Sequence, residues 1–420
     1  MIKKIIISNG WSDDNKGDSA IVEGLIDVLR ARGAREISIV SSFSADSVHF
    51  TDSTRHLERK YALGVFPHPV FHRCPFKRTA RLTRLMDTIK ALILLAAPRI
   101  GARWINPEQR ASLEAIRNAD LVVGKGGHYL FGTSNIGGLY TLFLNAYTLL
   151  LAKRLGVKTA LSANSVGPFV GGPARAFARY VFQRIDNIQL RERKSLDLLT
   201  GLGISGLKET YDTAFVINEE EVGSVLDGLG SYIVITSRQW DFPYDPRGAR
   251  VKYENYVSAL VGAALHCHEA GLTVLVAPQV IGPTPIEDDR IINKELGSRM
   301  ADAGIPVIVL DQDFTPGQLK TIYAQARFLI GTRFHSVILA LAAGTPVNVI
   351  SYHGPKAPGI MEQFGLGEYV LDIDTITTDK LVERCRLLLE NEDNLRNLIA
   401  IKMREIPERI ADDVESLAAG

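Results

Sequence analysis

Cysteine is scarce in this sequence, and neither sign of charge is in excess. Cys74, Cys267 and Cys385 are too few and too widely spaced for a disulfide framework or a thiolate metal site, which favours a reducing cytoplasm. The 48 Lys and Arg residues nearly balance the 47 Asp and Glu residues, leaving a net charge of +1. The charge balance therefore gives no indication of a nucleic-acid-binding protein.

Long apolar runs are also missing. Asn9 and Gly10 interrupt the N-terminal MIKKIIIS before the apolar region of a signal peptide can form, so this run predicts a buried first strand. The longest later run, 91–98, is far shorter than the roughly 20 residues that span a bilayer. We expect a cytoplasmic protein that is not integral to a membrane.

Motifs for two common kinds of chemistry are absent as well. The glycines of ADLVVGKGG, residues 119–127, are not followed by Gly-Lys-Ser/Thr, which argues against hydrolysis of a nucleoside triphosphate. No Asp-x-Asp or paired-histidine spacing occurs in a predicted strand-end loop, and His266 and His268 would point apart on a helix. We predict no metal site and no cofactor.

The 420 residues are enough for two domains, and short apolar segments alternate with helical segments in both halves. The acidic, glycine-dotted stretch 218–231 predicts the linker between them. We therefore predict an α/β fold of two Rossmann-like parallel-sheet domains facing across a cleft. The predicted domains are 1–220 and 221–420.

The stretch 328–354, FLIGTRFHSVILALAAGTPVNVISYHG, predicts a complete βαβ unit. Its first strand is followed by a loop that carries Arg333 and His335, and such loops open onto the ligand crevice of parallel sheets. A guanidinium binds carboxylate or phosphate, and an imidazole transfers protons near neutral pH. The alternative is that Arg333 pairs with a structural carboxylate and His335 caps the helix.

Three further strand-end segments carry polar residues. The first contains Asn15, Gly17 and Asp18, where Asp18 is either a helix cap or a catalytic carboxylate. The second contains Gly126 and Gly127, whose backbone N–H groups can bind an anion, and Lys125 and His128, which add charge or proton transfer. The third is the predicted loop 162–169, SANSVGPF, whose Asn164 and two serines can bond sugar hydroxyls. A later strand ends at Arg191.

The segment 73–110 is basic, with nine Lys and Arg residues against Asp87 and Glu108. Apolar residues recur among these cations at helical spacing, namely Leu82, Leu85, Met86, Ile89, Leu92 and Ile93. Such a helix either rests on an anionic membrane surface, where lipid-linked acceptors are met, or packs its apolar face into the core and leaves its cations solvated.

Five motifs in order resemble the polysaccharide pyruvyl transferase family. They are N-x-G-D-x-A-I at 15–21, the glycines at 124, 126 and 127, R-E-x-x-S at 191–195, D-x-A-F at 212–215, and R-F-H-S with its A-x-x-x-G-x-P continuation from Arg333 to Tyr352. Lys125 departs from the pattern, because it stands within what would be a run of three glycines. The resemblance implies a glycosyltransferase-B-like pair of domains and transfer of pyruvate from phosphoenolpyruvate to sugar hydroxyls as a ketal.

The resemblance also implies that Arg191, Arg333 and His335 surround phosphoenolpyruvate, the donor substrate. We predict His335 as a general acid or base, and Asp18 and His128 compete for the complementary role. The predicted binding residues are Arg333, Arg191, Asn15, Gly17, Gly126, Gly127, Asn164 and Ser336. The N-terminal domain with Arg191 would be the acceptor side, and the C-terminal domain would be the donor side.

Two other functions fit the same pattern. One is a glycosyltransferase that uses a nucleotide-sugar on the same two-domain frame, although no glutamate that could bind ribose lies close to Arg333. The other is a non-catalytic protein that binds an anionic metabolite. In the predicted function the partners are phosphoenolpyruvate and a saccharide acceptor, either free or lipid-linked.

Overall fold

The computed structural model describes residues 3–52, 54–72, 81–243, 245–352 and 356–419. The chain forms two units, each with its own parallel sheet. Unit 1 comprises Met1–Asp13, Asp18–Thr213 and Glu408–Gly420, and unit 2 comprises Asp14–Gly17 and Ala214–Pro407. The prediction of two parallel-sheet α/β domains is confirmed.

The sheet of unit 1 has strand order β3-β2-β1-β4-β6-β7-β8, with β5 paired to β6. Every pairing is parallel. The β-branched run Ile5 to Ile7 is fully buried in the central β1, as both-sided burial of a parallel sheet requires. The strands are β1 Lys4–Gly10, β2 Glu36–Ser41, β3 Gly64–Phe66, β4 Leu121–Gly124, β5 Gly127–Thr133, β6 Lys158–Val170, β7 Asn187–Leu190 and β8 Leu207–Glu209.

Helices follow most of these strands. They are α1 Lys16–Ala31, α2 Val48–Asp52, α3 Arg55–Tyr61, α4 Arg81–Ala96, α5 Pro98–Gly101, α6 Pro107–Arg117, α7 Ile136–Arg154, α8 Gly172–Phe182 and α9 Arg193–Gly201. The α7 helix carries an almost wholly apolar sequence, and ten consecutive or nearly consecutive residues of it are buried in the core of unit 1.

The sheet of unit 2 has order β11-β10-β9-β12-β13-β14, again all parallel. The strands are β9 Tyr232–Thr236, β10 Thr273–Val276, β11 Val307–Val309, β12 Leu329–Gly331, β13 Val347–Ser351 and β14 Val370–Asp372. The helices are α10 Ala249–Glu269, α11 Asp289–Asp302, α12 Pro316–Ala324, α13 Phe334–Ala342, α14 Lys356–Gln363, α15 Thr378–Glu390 and α16 Glu392–Ala419. The predicted βαβ unit is confirmed as β12, α13 and β13.

The boundaries of the units differ from the predicted split at 220. Unit 1 ends its main segment at Thr213, seven residues before that point, and takes up residues 408–420 as well. These last residues belong to it because Asp413 bonds Thr210 and Lys208, and Asn187 donates to the Ser416 carbonyl at 2.9 Å. The sequence signal for a linker was the acidic composition after 217. It gives no information about the return of residues 408–420 to unit 1.

The prediction of a loop at 162–169 is wrong, because these residues continue β6 as far as Val170. Their polar side chains are buried, and two of them form hydrogen bonds within unit 1. Asn164 donates to the Lys125 carbonyl at 2.6 Å, and Ser165 donates to Glu192 at 2.7 Å. Polar residues normally indicate a loop, but here hydrogen bonds to residues distant in sequence compensate for the burial of Asn164 and Ser165.

The helix α4 does not bury its apolar stripe. Leu82, Leu85 and Leu92 are 69%, 56% and 53% exposed, and Met86 and Ile89 are exposed too. Asp87, Ala91 and Leu94 face inward instead. Arg73, Lys77 and Arg78 of the basic segment lie outside the described residues. No helix among the described residues is long and apolar enough to cross a membrane.

Candidate active site

Arg333 stands at the end of β12, immediately before α13, and is only 8% exposed. Its Nε lies 3.0 and 3.1 Å from the two carboxylate oxygens of Asp289, and its Nη2 donates to the Glu287 carbonyl at 3.0 Å. Burial opposes the charge, but the charge and hydrogen bonds of Asp289 raise the pKa of Arg333, so the guanidinium stays protonated. The structure thus shows the pairing with a carboxylate that the sequence left open.

Asp289 is the first residue of α11, and its position is fixed by the backbone of the preceding loop. The N–H groups of Gln279 and Val280 donate to its carboxylate at 3.1 and 2.9 Å. Its placement was not predicted, because 44 residues separate it from Arg333. The only sequence signal was a pair of aspartates at a predicted helix start, which normally indicates a cap.

His335 lies in the first turn of α13 and is half-buried against the segment Asp14–Gly17, which belongs to the same unit. A Cβ on Gly17 would lie 2.3 Å from the His335 Nδ1 and 2.6 Å from its Cβ. Any larger residue at position 17 would therefore displace the imidazole. Glycine is required here by the close approach of the ring.

The segment Asp14–Gly17 is bonded to the loop that holds Asp289. Asn15 forms an antiparallel bridge with Val280, and the Lys16 N–H donates to the Gln279 carbonyl at 3.2 Å. The Asn15 side chain accepts the Gly17 N–H at 3.2 Å, which holds the turn that faces His335. Four predicted residues, Asn15, Gly17, Arg333 and His335, are thus brought together in unit 2.

Ser336, also predicted to bind substrate, is fully buried. Its hydroxyl donates to the Arg333 carbonyl at 2.6 Å and lies 2.6 Å from the Thr236 hydroxyl. Both bonds hold the backbone of the arginine loop against β9. The side chain positions Arg333 rather than facing solvent.

A second group of predicted residues lies in unit 1. Asp18, in the first turn of α1, forms an ion pair with Lys125, whose side chain is only 4% exposed. Gly127 has φ of +125°, and a Cβ there would lie 3.6 Å from Lys125 Nζ and 3.7 Å from Asp18 Oδ1. The lysine that departs from the glycine run is therefore the partner of the predicted catalytic carboxylate.

Gly126, Asn164 and His128, which were also predicted to act in the site, have other partners in unit 1. A Cβ on Gly126 would lie 2.9 Å from the Ile21 side chain, so this glycine allows β4 and α1 to pack. Asn164 has no exposure and holds the Lys125 carbonyl. His128 is half-exposed, and its Nε2 bonds the Gly167 carbonyl.

Arg191, at the end of β7, is 2% exposed and enclosed by acids. It pairs with Asp212, lies 3.7 Å from Glu192, and donates through Nε to the Ser165 hydroxyl at 2.7 Å. The motifs R-E-x-x-S and D-x-A-F thus meet in one buried network. The roles predicted for Arg191, Asp18 and His128 stay predictions.

Solved structures with the same fold include UDP-N-acetylglucosamine 2-epimerases and a forosaminyltransferase. A putative UDP-N-acetylglucosamine 2-epimerase from Listeria monocytogenes matches with a TM-score of 0.57 and 11% identity, over 94% of this chain and 91% of that one. The spinosyn forosaminyltransferase SpnP matches with a TM-score of 0.52 and 14% identity over 100% of both chains. At this identity the likeness concerns the fold, which is glycosyltransferase-B-like.

Sequence comparison is more specific. The amylovoran biosynthesis protein AmsJ of Erwinia amylovora is 25% identical over 419 residues, which cover 94% of each chain. The family model described as polysaccharide pyruvyl transferase matches residues 15–354, from Asn15 through the Arg333 loop. That range contains both groups of residues described above, and the chain belongs to the polysaccharide pyruvyl transferase family.

Proposed function

We propose that the protein transfers the pyruvyl group of phosphoenolpyruvate to two hydroxyls of a sugar, as a ketal, during polysaccharide synthesis. Family membership supports a transferase, and the similarity to the amylovoran biosynthesis protein AmsJ supports a role in polysaccharide synthesis. The observation that carries the proposal is the arrangement in unit 2, where Asp289 fixes a charged guanidinium and Gly17 admits an imidazole beside it. The reaction requires binding of the carboxylate and phosphate of phosphoenolpyruvate and transfer of a proton to its methylene carbon.

Arg333 binds one anionic group of the donor in this proposal. Its Nε and Nη2 are used by Asp289 and Glu287, whereas its Nη1 makes no hydrogen bond within the described part of the chain. The partial positive charge at the start of α13 adds to the attraction. A guanidinium already held by a carboxylate loses little side-chain freedom when it binds, which favours affinity.

His335 supplies proton transfer. A proton is added to the methylene carbon of phosphoenolpyruvate, and the carbon that bears carboxylate and phosphate becomes electron-poor. One sugar hydroxyl attacks this carbon, phosphate leaves with its bonding electrons, and the second hydroxyl closes the ring. The hydroxyls release two protons, of which one replaces the proton given to carbon and the other leaves with phosphate. General acid–base catalysis of this kind typically contributes about 10²–10⁴-fold.

We place the reaction in the cytoplasm, where the donor is a metabolite, with α4 resting on the inner face of the membrane. The five exposed apolar residues of α4 are accompanied on the same helix by Arg81, Arg84 and Lys90, a pattern that suits an anionic lipid surface. Binding to phosphatidylglycerol vesicles should exceed binding to phosphatidylcholine vesicles. Replacing Arg84 and Lys90 with Gln should abolish the difference, and replacing Leu82 and Leu85 with Asn should weaken binding to both lipids. Equal binding of the wild type to both lipids would remove this contact from the proposal.

The decisive experiment combines binding and product analysis. Phosphoenolpyruvate at about 100 times its dissociation constant should stabilise the folded protein by about 2.7 kcal/mol, and a panel of sugar acceptors should then show phosphate release and a new ketal methyl signal by NMR. Stabilisation by a nucleotide-sugar alone would make the protein a glycosyltransferase instead. Stabilisation by phosphoenolpyruvate without product from any acceptor would favour a metabolite-binding protein.

A further inference from the structure

Besides Arg191 in unit 1 and Arg333 in unit 2, a third arginine follows the end of a strand, and it lies in unit 2. It is not part of any of the five sequence motifs. Arg238 follows β9, the strand next to β12, after Ser237. Its Cζ lies 4.8 Å from the centre of the Trp240 ring and 4.4 Å from that of Tyr352. The two rings are 4.9 Å apart and inclined at 58°. The guanidinium is therefore held by two aromatic faces, which attract a cation.

The backbone links this group to the Arg333 loop. The Arg238 N–H donates to the hydroxyl of the buried Tyr256 at 3.1 Å, and that hydroxyl lies 2.9 Å from the hydroxyl of Thr332. Thr332 directly precedes Arg333. The carboxyl ends of β9, β12 and β13 thus present Arg238, Arg333 and Tyr352 at one edge of the sheet, which is where parallel sheets bind ligands.

The partners of Arg238 differ from those of the other two strand-end arginines. Arg333 is paired with Asp289 and Arg191 with Asp212. Arg238 is half-buried and forms no ion pair or side-chain hydrogen bond with any described residue. A cation–π contact uses none of the five N–H donors of a guanidinium. The two rings therefore hold the guanidinium of Arg238 in place without using its N–H donors.

We propose that Arg238 is an anion-binding residue of this site, and that it donates to the phosphate or the carboxylate of the ligand. The inference rests on the proposed function, because the donor carries one group of each kind. Arg333 then binds the other group through Nη1. Trp240 and Tyr352 act as positioning residues that hold the guanidinium in one orientation.

Isothermal titration calorimetry with phosphoenolpyruvate, inorganic phosphate and pyruvate tests the proposal. Arg238→Gln should weaken binding of phosphoenolpyruvate by about tenfold to a hundredfold, and Arg238→Lys should recover part of the loss. A parallel loss for phosphate assigns Arg238 to the phosphate group, and a parallel loss for pyruvate assigns it to the carboxylate. Arg404→Gln is the matched control, since Arg404 is an exposed arginine of the same unit without a described ion pair.

Unchanged phosphoenolpyruvate affinity in Arg238→Gln would overturn the inference and leave the proposed function intact. The melting temperature of the unliganded variant should stay within a few degrees of the wild type, because no buried carboxylate loses its partner. Should the wild type bind a nucleotide-sugar rather than phosphoenolpyruvate, the proposed function fails, and the same variant decides whether Arg238 binds its phosphates. A wild type that binds none of these anions overturns both.

Discussion

The two units each hold a buried arginine at a strand end, paired with a buried carboxylate, yet the surroundings of the two arginines differ. Arg191 in unit 1 is enclosed by Asp212, Glu192 and the hydroxyl of Ser165. Arg333 in unit 2 is held on one side by Asp289, and the half-buried His335 follows two residues later in the first turn of α13.

From this difference we infer two uses of the same ion pair. In unit 1 the network joins β6, β7 and the segment that follows β8, so the arginine stabilises the fold by satisfying several buried groups at once. In unit 2 the carboxylate leaves Nη1 without a described partner and fixes the direction of the guanidinium. A motif arginine in a strand-end loop is therefore not by itself evidence of ligand binding.

The largest expected effect concerns the imidazole. His335→Ala should lower turnover by about 10²–10⁴-fold and change donor affinity by no more than a few-fold, because a general acid or base acts on the transition state. Steady-state kinetics and calorimetry with phosphoenolpyruvate provide the two numbers. His268→Ala on α10 is the control, and equal losses in turnover and affinity for His335→Ala would assign the ring to binding.

The next effect compares the two arginines directly. Arg191→Met and Arg333→Met should each lower the free energy of unfolding by about 3–5 kcal/mol, because each leaves a buried carboxylate without its partner. Only Arg333→Met should also weaken donor binding. Urea denaturation and calorimetry measure the two effects.

The double variant Arg191→Met with Asp212→Leu serves as the control for the first arginine. It removes both charges and should recover most of the lost stability. A clear loss of donor affinity in Arg191→Met alone would support the prediction that Arg191 holds the donor, and the contrast between the units would disappear.

A smaller effect is expected from the close approach in unit 2. Gly17→Ala places a methyl group 2.3 Å from the His335 Nδ1, so the ring must move. Turnover should fall by about tenfold to a hundredfold, since a displacement of the order of 1 Å is enough to misalign a proton transfer. Gly172→Ala, where nothing lies within 4 Å of the new methyl group, should retain full activity. Full activity in Gly17→Ala as well would show that catalysis does not depend on the observed position of the His335 ring.

The smallest effect is confined to unit 1. The ring of His72 donates through Nδ1 to the Asp87 carboxylate at 2.8 Å. This bond raises the pKa of His72, so the folded state favours the protonated ring. This contribution to stability is fully present below the pKa of an unfolded histidine, about 6.5, and is lost as the pH rises through the higher folded value. Unfolding free energies at pH 6 and pH 8 should differ more in the wild type than in Asp87→Asn. Donor affinity should be the same in both proteins.

The regular alternation of strands and helices could be predicted because buried parallel strands have continuous apolar sequences and helices have their own period. The βαβ unit of β12, α13 and β13 was predicted for that reason. The long β6 was missed, since Asn164 and Ser165 are polar and only their tertiary partners explain their burial. Asp289 and Arg238 were missed because their importance depends on residues distant in sequence that fold against them.

Residues 408–420 complete unit 1 along β7 and β8, although most of that unit precedes Thr213. A ribosome therefore synthesises all of residues 214–407 before the N-terminal unit can acquire its last segment. Until then the side chains of Asn187, Gln189 and Thr210 lack the partners that Asp413 and Ser416 supply. Unit 1 is therefore synthesised first for the most part, but it can complete its fold only after unit 2 has been synthesised.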